Sequence, residues 1–307
     1  MKKVLVLGGS GFVGRHLCEQ LVRAGWHITV ATRTESHAAP VQHLPGLTVL
    51  KADIHDPTSL QGLLSGHTAV INLVAILHGN QQRFEQTHVE LLGHLASACQ
   101  ASGVRRVLHV SALGVNPHKP EAAPSLYLAS KSRGEALLQK AGLQLTVLRP
   151  SVIYGADDRF LNLFAKLQRI FPVLPLAGAK ARFQPVWVED VARALVVCLE
   201  NPQTIGKTYE LYGPEILTLA ELAQLAAQGA GVNHGKGRPI IALPAPLARL
   251  QARLMELAPG EPLMSRDNLD SMRAANIASG NLPGLDALGI EAASIRAIAP
   301  SYLARPH

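Results

Sequence analysis

Apolar and polar positions alternate along the first two-thirds of this chain in two periods. Short β-branched runs read as strands at Lys3–Leu7, His27–Ala31, Thr48–Lys51, Ala69–Leu73, Arg106–Val110, Gln144–Arg149 and Thr208–Leu211. Between them, apolar residues recur at helical spacing near Gly11–Ala24, Pro57–Leu64, Thr87–Ser102, Leu126–Ala141 and Val188–Glu200. Strands alternating with longer helices predict a doubly wound α/β fold with a parallel sheet. The alternation breaks from about Ala156, and Pro and Gly become frequent in Phe171–Gly178 and from Gly235 to Pro262. We therefore expect residues 1–155 to form the doubly wound domain, completed by about 183–212, with 156–182 and 213–307 forming a smaller C-terminal substrate or partner lobe. Within Pro246–Leu257 the residues Leu247, Leu250, Leu254 and Leu257 recur at helical spacing. This stripe is expected to pack against the first lobe, with membrane docking as the alternative.

The strand Lys3–Leu7 runs directly into Gly8-Gly-Ser10-Gly11-Phe12-Val13-Gly14 and then a helix. Gly8 permits the tight turn, Gly11 a close approach of backbone to a pyrophosphate, and Gly14 close helix–strand packing; unpaired N–H groups at the helix start would meet the phosphates. A bare structural turn is the weaker reading, because strand, spacing and helix coincide. After the second strand, Thr32-Arg33 stands where an acid would bind both ribose hydroxyls of NAD. Arg33, with His37 nearby, suits a 2′-phosphate, so NADP(H) is expected over NAD.

Bulk properties add limits. Of 307 residues, 48% are hydrophobic and 17% charged, the balance of a compact globule. The net charge of +7 favours anionic partners, but with only 4% aromatics and scattered basic residues no nucleic-acid surface is expected. Cys18, Cys99 and Cys198 lie in apolar helical patterns without CxxC spacing and read as buried, reduced thiols. The histidines, including His55, His78, His88, His109 and His118, show no metal-binding spacing, so no metal is expected. With no signal-peptide pattern after Met1-Lys2-Lys3 and no apolar run of membrane-spanning length, the expected location is cytoplasmic, with peripheral membrane contact left open.

Further motifs fall in order along the chain: Asp53-Ile54 after the third strand, Asn72-Leu73-Val74-Ala75 closing the fourth, Tyr127-Leu-Ala-Ser-Lys131, Arg149-Pro150-Ser-Val152-Ile-Tyr-Gly155, and Pro185-Val-Trp-Val-Glu-Asp190-Val-Ala. Over roughly residues 1–200 this resembles the extended and atypical short-chain dehydrogenase/reductases, the NAD-dependent epimerase/dehydratase type. The segments Val70–Leu77, His109–Gly114, Asp157–Phe160 and Met264–Asp270 are similar to one branch, the NAD(P)-binding accessory subunit of respiratory complex I and its bacterial relatives. The resemblance implies that Asp53 and Ile54 clamp adenine, that Leu73, Val74 and Ala75 line the ribose and nicotinamide, and that Pro150 and Val152 belong to the strand-end signature of the cofactor site. In many relatives the helices Thr87–Ser102 and Leu126–Ala141 form a dimer face.

Tyr127 and Lys131, four residues apart on a helix, project from one face. An ammonium near the phenol, joined by an oxidised nicotinamide, is expected to lower the tyrosine pKa and suit it to acid/base work, while Lys131 also holds the ribose. The family's usual hydroxyl just beyond the fifth strand is missing: Ser111 closes that strand, and Ala112 and Leu113 follow. Two readings stay open: Ser111 substitutes with shifted geometry, or the hydroxyl and the full carbonyl chemistry are gone. The expected function is accordingly an NADPH-dependent oxidoreductase for an apolar carbonyl or quinone-related substrate. The alternatives are a non-catalytic, cofactor-binding accessory protein of a respiratory or quinone-synthesis assembly, or a nucleotide-sugar epimerase/dehydratase. Arg159, Lys166, Arg169, Lys180 and Arg182 could grip a sugar nucleotide, but Phe171–Gly178 and Ile240–Pro246 are mainly apolar.

Overall fold

A computed structural model describes residues 2–257, 260 and 262–304; residues 258, 259, 261 and 305–307 of the region expected at 213–307 lie outside the described residues. Seven strands form one sheet: β1 (Lys3–Leu7), β2 (His27–Thr32), β3 (Leu47–Lys51), β4 (Ala69–Asn72), β5 (Arg106–Val110), β6 (Gln144–Pro150) and β7 (Thr208–Leu211). Their order is β7-β6-β5-β4-β1-β2-β3 and every pairing is parallel. The chain reverses direction of winding between β1 and β4, so the ends of these two neighbours open a crevice, the place where doubly wound sheets bind ligands. The expected strands are all present, within one residue at each end.

The helices are α1 (Phe12–Arg23), α2 (Pro57–Leu64), α3 (Leu91–Ser102), α4 (Leu126–Lys140), α5 (Leu161–Ile170), α6 (Val188–Glu200), α7 (Leu219–Gly229), α8 (Ala245–Glu256), α9 (Arg266–Ser271) and α10 (Ile295–Leu303). Central strands buried on both sides read as continuous apolar runs because helices cover both sheet faces. On one face α1 and α6 bury Leu17, Cys18, Leu21, Val191, Leu195 and Cys198 with Val4, Val6 and Ile28. On the other, α2, α3 and α4 bury Leu60, Leu64, Leu95, Cys99 and Leu138 with Leu5, Leu7 and Val107. All three cysteines are buried free thiols, pushed up to about 12 by burial.

The expected helix Thr87–Ser102 has a broken start. A short helix, Gln81–Glu85, passes through a π turn at Gln86–Glu90 before α3 begins. Gly134 of α4 explains the fit: a Cβ there would stand 1.8 Å from the His88 carbonyl oxygen, so only glycine lets the π turn press so close.

A third cluster lies beyond the sheet, where Tyr154, Leu161, Phe164, Leu222, Ala226, Ile295 and Tyr302 pack together. Helices α5, α7 and α10 supply most of it. The sequence pattern did not single them out, although Thr218 and Glu221 form a capping box at the start of α7. Short strand pairs stitch the region together: Leu174–Leu176 with Ile240–Ala242, Arg182–Phe183 with Leu217–Thr218, and Ile153–Tyr154 with Val186–Trp187.

The leucine stripe of Pro246–Leu257 departs from its expected packing. Leu247, Leu250, Leu254 and Leu257 are 53–76% exposed, while α8 turns Ala248 and Ala252 inward. α8 packs against α9, and the larger side chains of its stripe are left outside. Among the described residues, no helix is long and apolar enough to cross a membrane.

Candidate functional site

At the mouth of β1 the backbone is shaped for a close-lying ligand. Gly8 sits at φ +84°, and a Cβ there would also crowd Leu73 at 3.3 Å. A Cβ on Gly14 would strike the Gly8 carbonyl oxygen at 2.3 Å, so the first turn of α1 rests directly on the loop. Gly11 is the N-cap of α1 and is exposed, with no side chain capping the helix, which leaves its first N–H groups open to an anion. Ser10, Phe12 and Val13 flank this cradle half-buried.

The other residues expected at the site follow the ends of the sheet strands, with Leu73 and Val74 the ones seen against the cradle. Leu73 and Val74 continue from β4 beside Gly8, and the Val74 N–H donates to Asn72 Oδ1 at 3.2 Å. Ala75 is exposed. Arg33 lies immediately past β2 and is exposed, as is His37. Asp53 follows β3 and is also exposed, accepting from the His55 N–H at 3.0 Å; Ile54 packs on the core beneath it. Pro150 ends β6, and Val152 follows with its N–H donated to Asn276 Oδ1 at 2.9 Å. The residues present therefore fit a dinucleotide: a glycine cradle, open helix N–H groups, and a cation at the end of β2.

Ser125 starts α4, its Oγ accepting from the Leu128 N–H, and this sets the rotation of the helix that carries Tyr127 and Lys131. Lys131 is buried and its Nζ donates to the carbonyl oxygen of Val110, the last residue of β5, at 2.8 Å. Burial pulls its pKa down to about 8, with Glu135 one turn on opposing the shift. Glu135 is in turn fully buried and takes both Nε and Nη2 of Arg149, the Nε at 3.1 Å, and the Gln139 amide at 2.9 Å. This pair anchors the middle of α4 to β6.

The expected lowering of the Tyr127 pKa is not what the protein alone does. Burial, and then the nearby Asp267 carboxylate, push the phenol up to about 12. The physical reason is first burial, which disfavours the phenolate, and then the sign of the charge nearby, which is that of the Asp267 carboxylate. Asp267 comes from α9, far along the chain, and its carboxylate accepts the backbone N–H groups of Leu126 at 2.7 Å and Tyr127 at 3.1 Å. Asn268 donates to the Leu77 carbonyl and Ser271 to Ser125, so α9 closes over the start of α4.

His88, also outside the expected site residues, stands edge-on to the Tyr127 ring with centroids 5.6 Å apart and stacks on Phe84. Its Nε2 accepts the Ile76 N–H at 3.2 Å, which makes Nδ1 the protonated nitrogen facing Ser130 Oγ at 2.9 Å. Burial first, and then Lys131, push it down to about 3, so the ring is neutral. His109 on β5 is likewise held well below its usual range, by burial and then by Lys131 and His88; its Nδ1 meets the Asn72 amide at 3.1 Å.

Ser111 follows directly after β5, its backbone N–H donating to the Leu148 carbonyl, and its Oγ is buried without a partner among the described residues. Ala112 and Leu113 beyond it are both buried, and Ala112 packs in a small apolar cluster with Val115 and Leu128. No metal-binding cluster of His, Cys, Asp or Glu is found among the described residues.

Residues 4–211 match the model of the family described as NAD dependent epimerase/dehydratase. Among curated proteins, the chain is 31% identical over 295 residues to the NADH dehydrogenase [ubiquinone] 1 alpha subcomplex subunit 9, mitochondrial, of Mus musculus, covering 93% of this chain and 75% of that one. It is 31% identical over 201 residues to the ceramide reductase of Caulobacter vibrioides, covering 65% and 61%. Among solved structures it resembles DesIV, a dTDP-glucose 4,6-dehydratase from Streptomyces venezuelae with NAD and TYD bound, with a TM-score of 0.67, 25% identity, and coverage of 78% and 84%. With its parallel sheet, glycine cradle and family match in agreement, the chain belongs to the NAD dependent epimerase/dehydratase family and is a nicotinamide-dinucleotide-binding protein.

Proposed function

We propose that this protein is an NADP(H)-dependent oxidoreductase acting on an apolar carbonyl or quinone-related substrate. The observation that carries the reading is the placement of Tyr127 and Lys131 on one face of α4, with the lysine buried against the end of β5. A bound nicotinamide supplies or accepts the hydride. Tyr127, kept protonated by burial, donates its phenolic proton to the substrate oxygen in the reductive direction and takes it back in the other. Lys131, whose pKa of about 8 leaves it mostly an ammonium at neutral pH, orients the ribose and offsets charge as the phenol loses its proton. Ser111 has an uncommitted hydroxyl to orient the substrate oxygen. Arg33 takes the 2′-phosphate that selects NADP(H), and the glycine cradle takes the pyrophosphate.

The apolar substrate class is supported by Phe171–Gly178 and Ile240–Pro246, which pair through a short parallel ladder. Gly178 lies against Met272, so this apolar strip adjoins the segment following α9. Relatives named ceramide reductase and, in Stenotrophomonas maltophilia, 2-alkyl-3-oxoalkanoate reductase point the same way. NADPH oxidation against a panel of apolar ketones and quinones tests the reading. Tyr127→Phe is expected to lower turnover by about a hundredfold or more while NADPH affinity stays unchanged.

A second reading is favoured by Ala112 and Leu113, which fill the usual hydroxyl position with buried apolar groups. In it, the protein holds its cofactor tightly without turnover as a component of a larger assembly, and the relative named as an NADH dehydrogenase subunit supports such a partner. Tight NADPH binding without oxidation by any substrate in the panel would overturn the first reading in favour of this one.

A further inference from the structure

The outer face of α8 is aliphatic and uncovered. At 100° per residue, Leu247, Leu250, Leu254 and Leu257 fall within an arc of about 80°, with Ala248 and Ala252 on the opposite, buried side. Ile241, on the short strand before α8, and Phe171, before the strand paired with it, are also exposed, at 55% and 47%. Monomeric proteins seldom leave such a stripe in water without a use for it.

The charges beside the stripe are arranged by sign. Among the described residues, the acids beside α8 are matched: Asp270 is paired with Arg249 at 3.1 Å and Glu256 with Arg266 at 2.8 Å. Asp267 faces away, on the backbone of α4. Arg253, which borders the leucine arc, is exposed and engages no ion pair among the described residues. The surface is thus a convex helix with an aliphatic crest and one uncompensated arginine, Arg253, on its flank. A protein groove-binder would need concavity, and protein contact surfaces draw their energy chiefly from Trp, Tyr and Arg, with Leu under-represented. Leucines on one side and an arginine able to reach upward from the flank are the attributes of a helix lying in a bilayer surface.

We propose that this face docks onto an anionic lipid bilayer, with the four leucines seated at the boundary between headgroups and acyl chains and Arg253 on lipid phosphate. The proposal stands on the exposed face itself and holds whether or not Tyr127 performs chemistry. It also places the bilayer one helix from the candidate site, since α8 packs on α9 and α9 holds the start of α4. An apolar substrate dissolved in the membrane would have a short path to Tyr127.

Sedimentation of the full chain with phosphatidylcholine vesicles, with and without phosphatidylglycerol, tests this. The protein should sediment with the phosphatidylglycerol vesicles. The double substitution Leu250→Glu/Leu254→Glu should reduce that partition on the order of tenfold or more, with an unchanged circular-dichroism melt. Arg253→Gln should weaken binding to the anionic vesicles about fivefold and leave the weaker phosphatidylcholine partition unaltered. Leu254→Trp, which keeps the face apolar, should show a blue shift of its added emission on the same vesicles, and this readout stands if the double variant fails to fold. Wild-type protein that remains in the supernatant, or sedimentation indifferent to the glutamates, overturns the proposal. So does an unshifted tryptophan, or light scattering that shows a dimer dispersed by the glutamates in a protein that binds no vesicles.

Discussion

Helix α6 buries Val188, Val191, Leu195 and Cys198, whereas α8 buries Ala248 and Ala252 and holds its leucines in solvent. Both sequences carry apolar residues at helical spacing, and by pattern alone either stripe would be assigned to a core. The difference comes from what each helix meets. α6 lies along α1 and the sheet, where large side chains from three elements interlock. α8 meets α9, a helix of six residues whose own polar side chains are committed to capping α4 and to ion pairs. Periodicity thus identifies a helix, while the neighbouring surface decides which side of it is buried.

Ion pairs repeat the contrast. Glu135 and Arg149 are 0% and 11% exposed in their side chains, and Arg249 and Asp270 are 60% and 30% exposed. Removing one member of a buried pair strands a charge in a medium that cannot solvate it, whereas an exposed pair is replaced by water. Glu135→Ala should therefore cost about 4 kcal/mol of unfolding free energy, and Arg249→Ala less than about 1, both read from urea denaturation. Equal losses would erase the distinction between the two regions.

Leu195→Ala sharpens the comparison in the apolar interior. The side chain is fully buried, so its truncation loses transfer energy and leaves a cavity, for a cost of about 3 kcal/mol in the same assay. A loss below about 1 kcal/mol would mean that α6 can collapse onto the sheet, contrary to the close packing seen there.

Acid should separate the regions too. His88 has a folded pKa of about 3 against an ordinary value of 6.5, so between these values the unfolded chain binds the additional proton. Stability conferred by the neutral ring is complete above the unfolded value and falls as pH drops below it. Between pH 6.5 and 5 the wild type should lose about 2 kcal/mol through this residue, a slope that His88→Asn should flatten. Parallel profiles for the two proteins would contradict the buried, neutral assignment.

These contrasts explain what was legible in the chain. The run from β1 through Gly8, Gly11 and Gly14 into α1 is contiguous, so its local chemistry identified the cradle before any tertiary contact was known. Tyr127 and Lys131 share one helix, and their spacing was enough to pair them. Asp267 and His88 reach the same place from α9 and from a π turn, and their roles depend on long-range packing that periodicity does not encode. Gly134 held the one local sign of that approach, as a glycine inside a helix where alanine would be the better helix former. The rise of the Tyr127 pKa in the protein alone was hidden for the same reason, since it comes from burial first and then from Asp267, which enters from far along the chain.

The smallest expected effect bears most directly on the exposed face. Leu250 is 54% exposed, so its truncation to alanine opens no enclosed cavity and returns only a modest apolar area to account for. Alanine is also at least as good a helix former as leucine, which offsets part of the lost contact. Leu250→Ala should therefore change the urea midpoint by an amount equivalent to less than about 0.5 kcal/mol, at unchanged slope. A loss of about 2 kcal/mol or more would show that the leucine is packed in the isolated protein. The stripe on α8 would then be interior like that on α6, with no free face left to meet a bilayer.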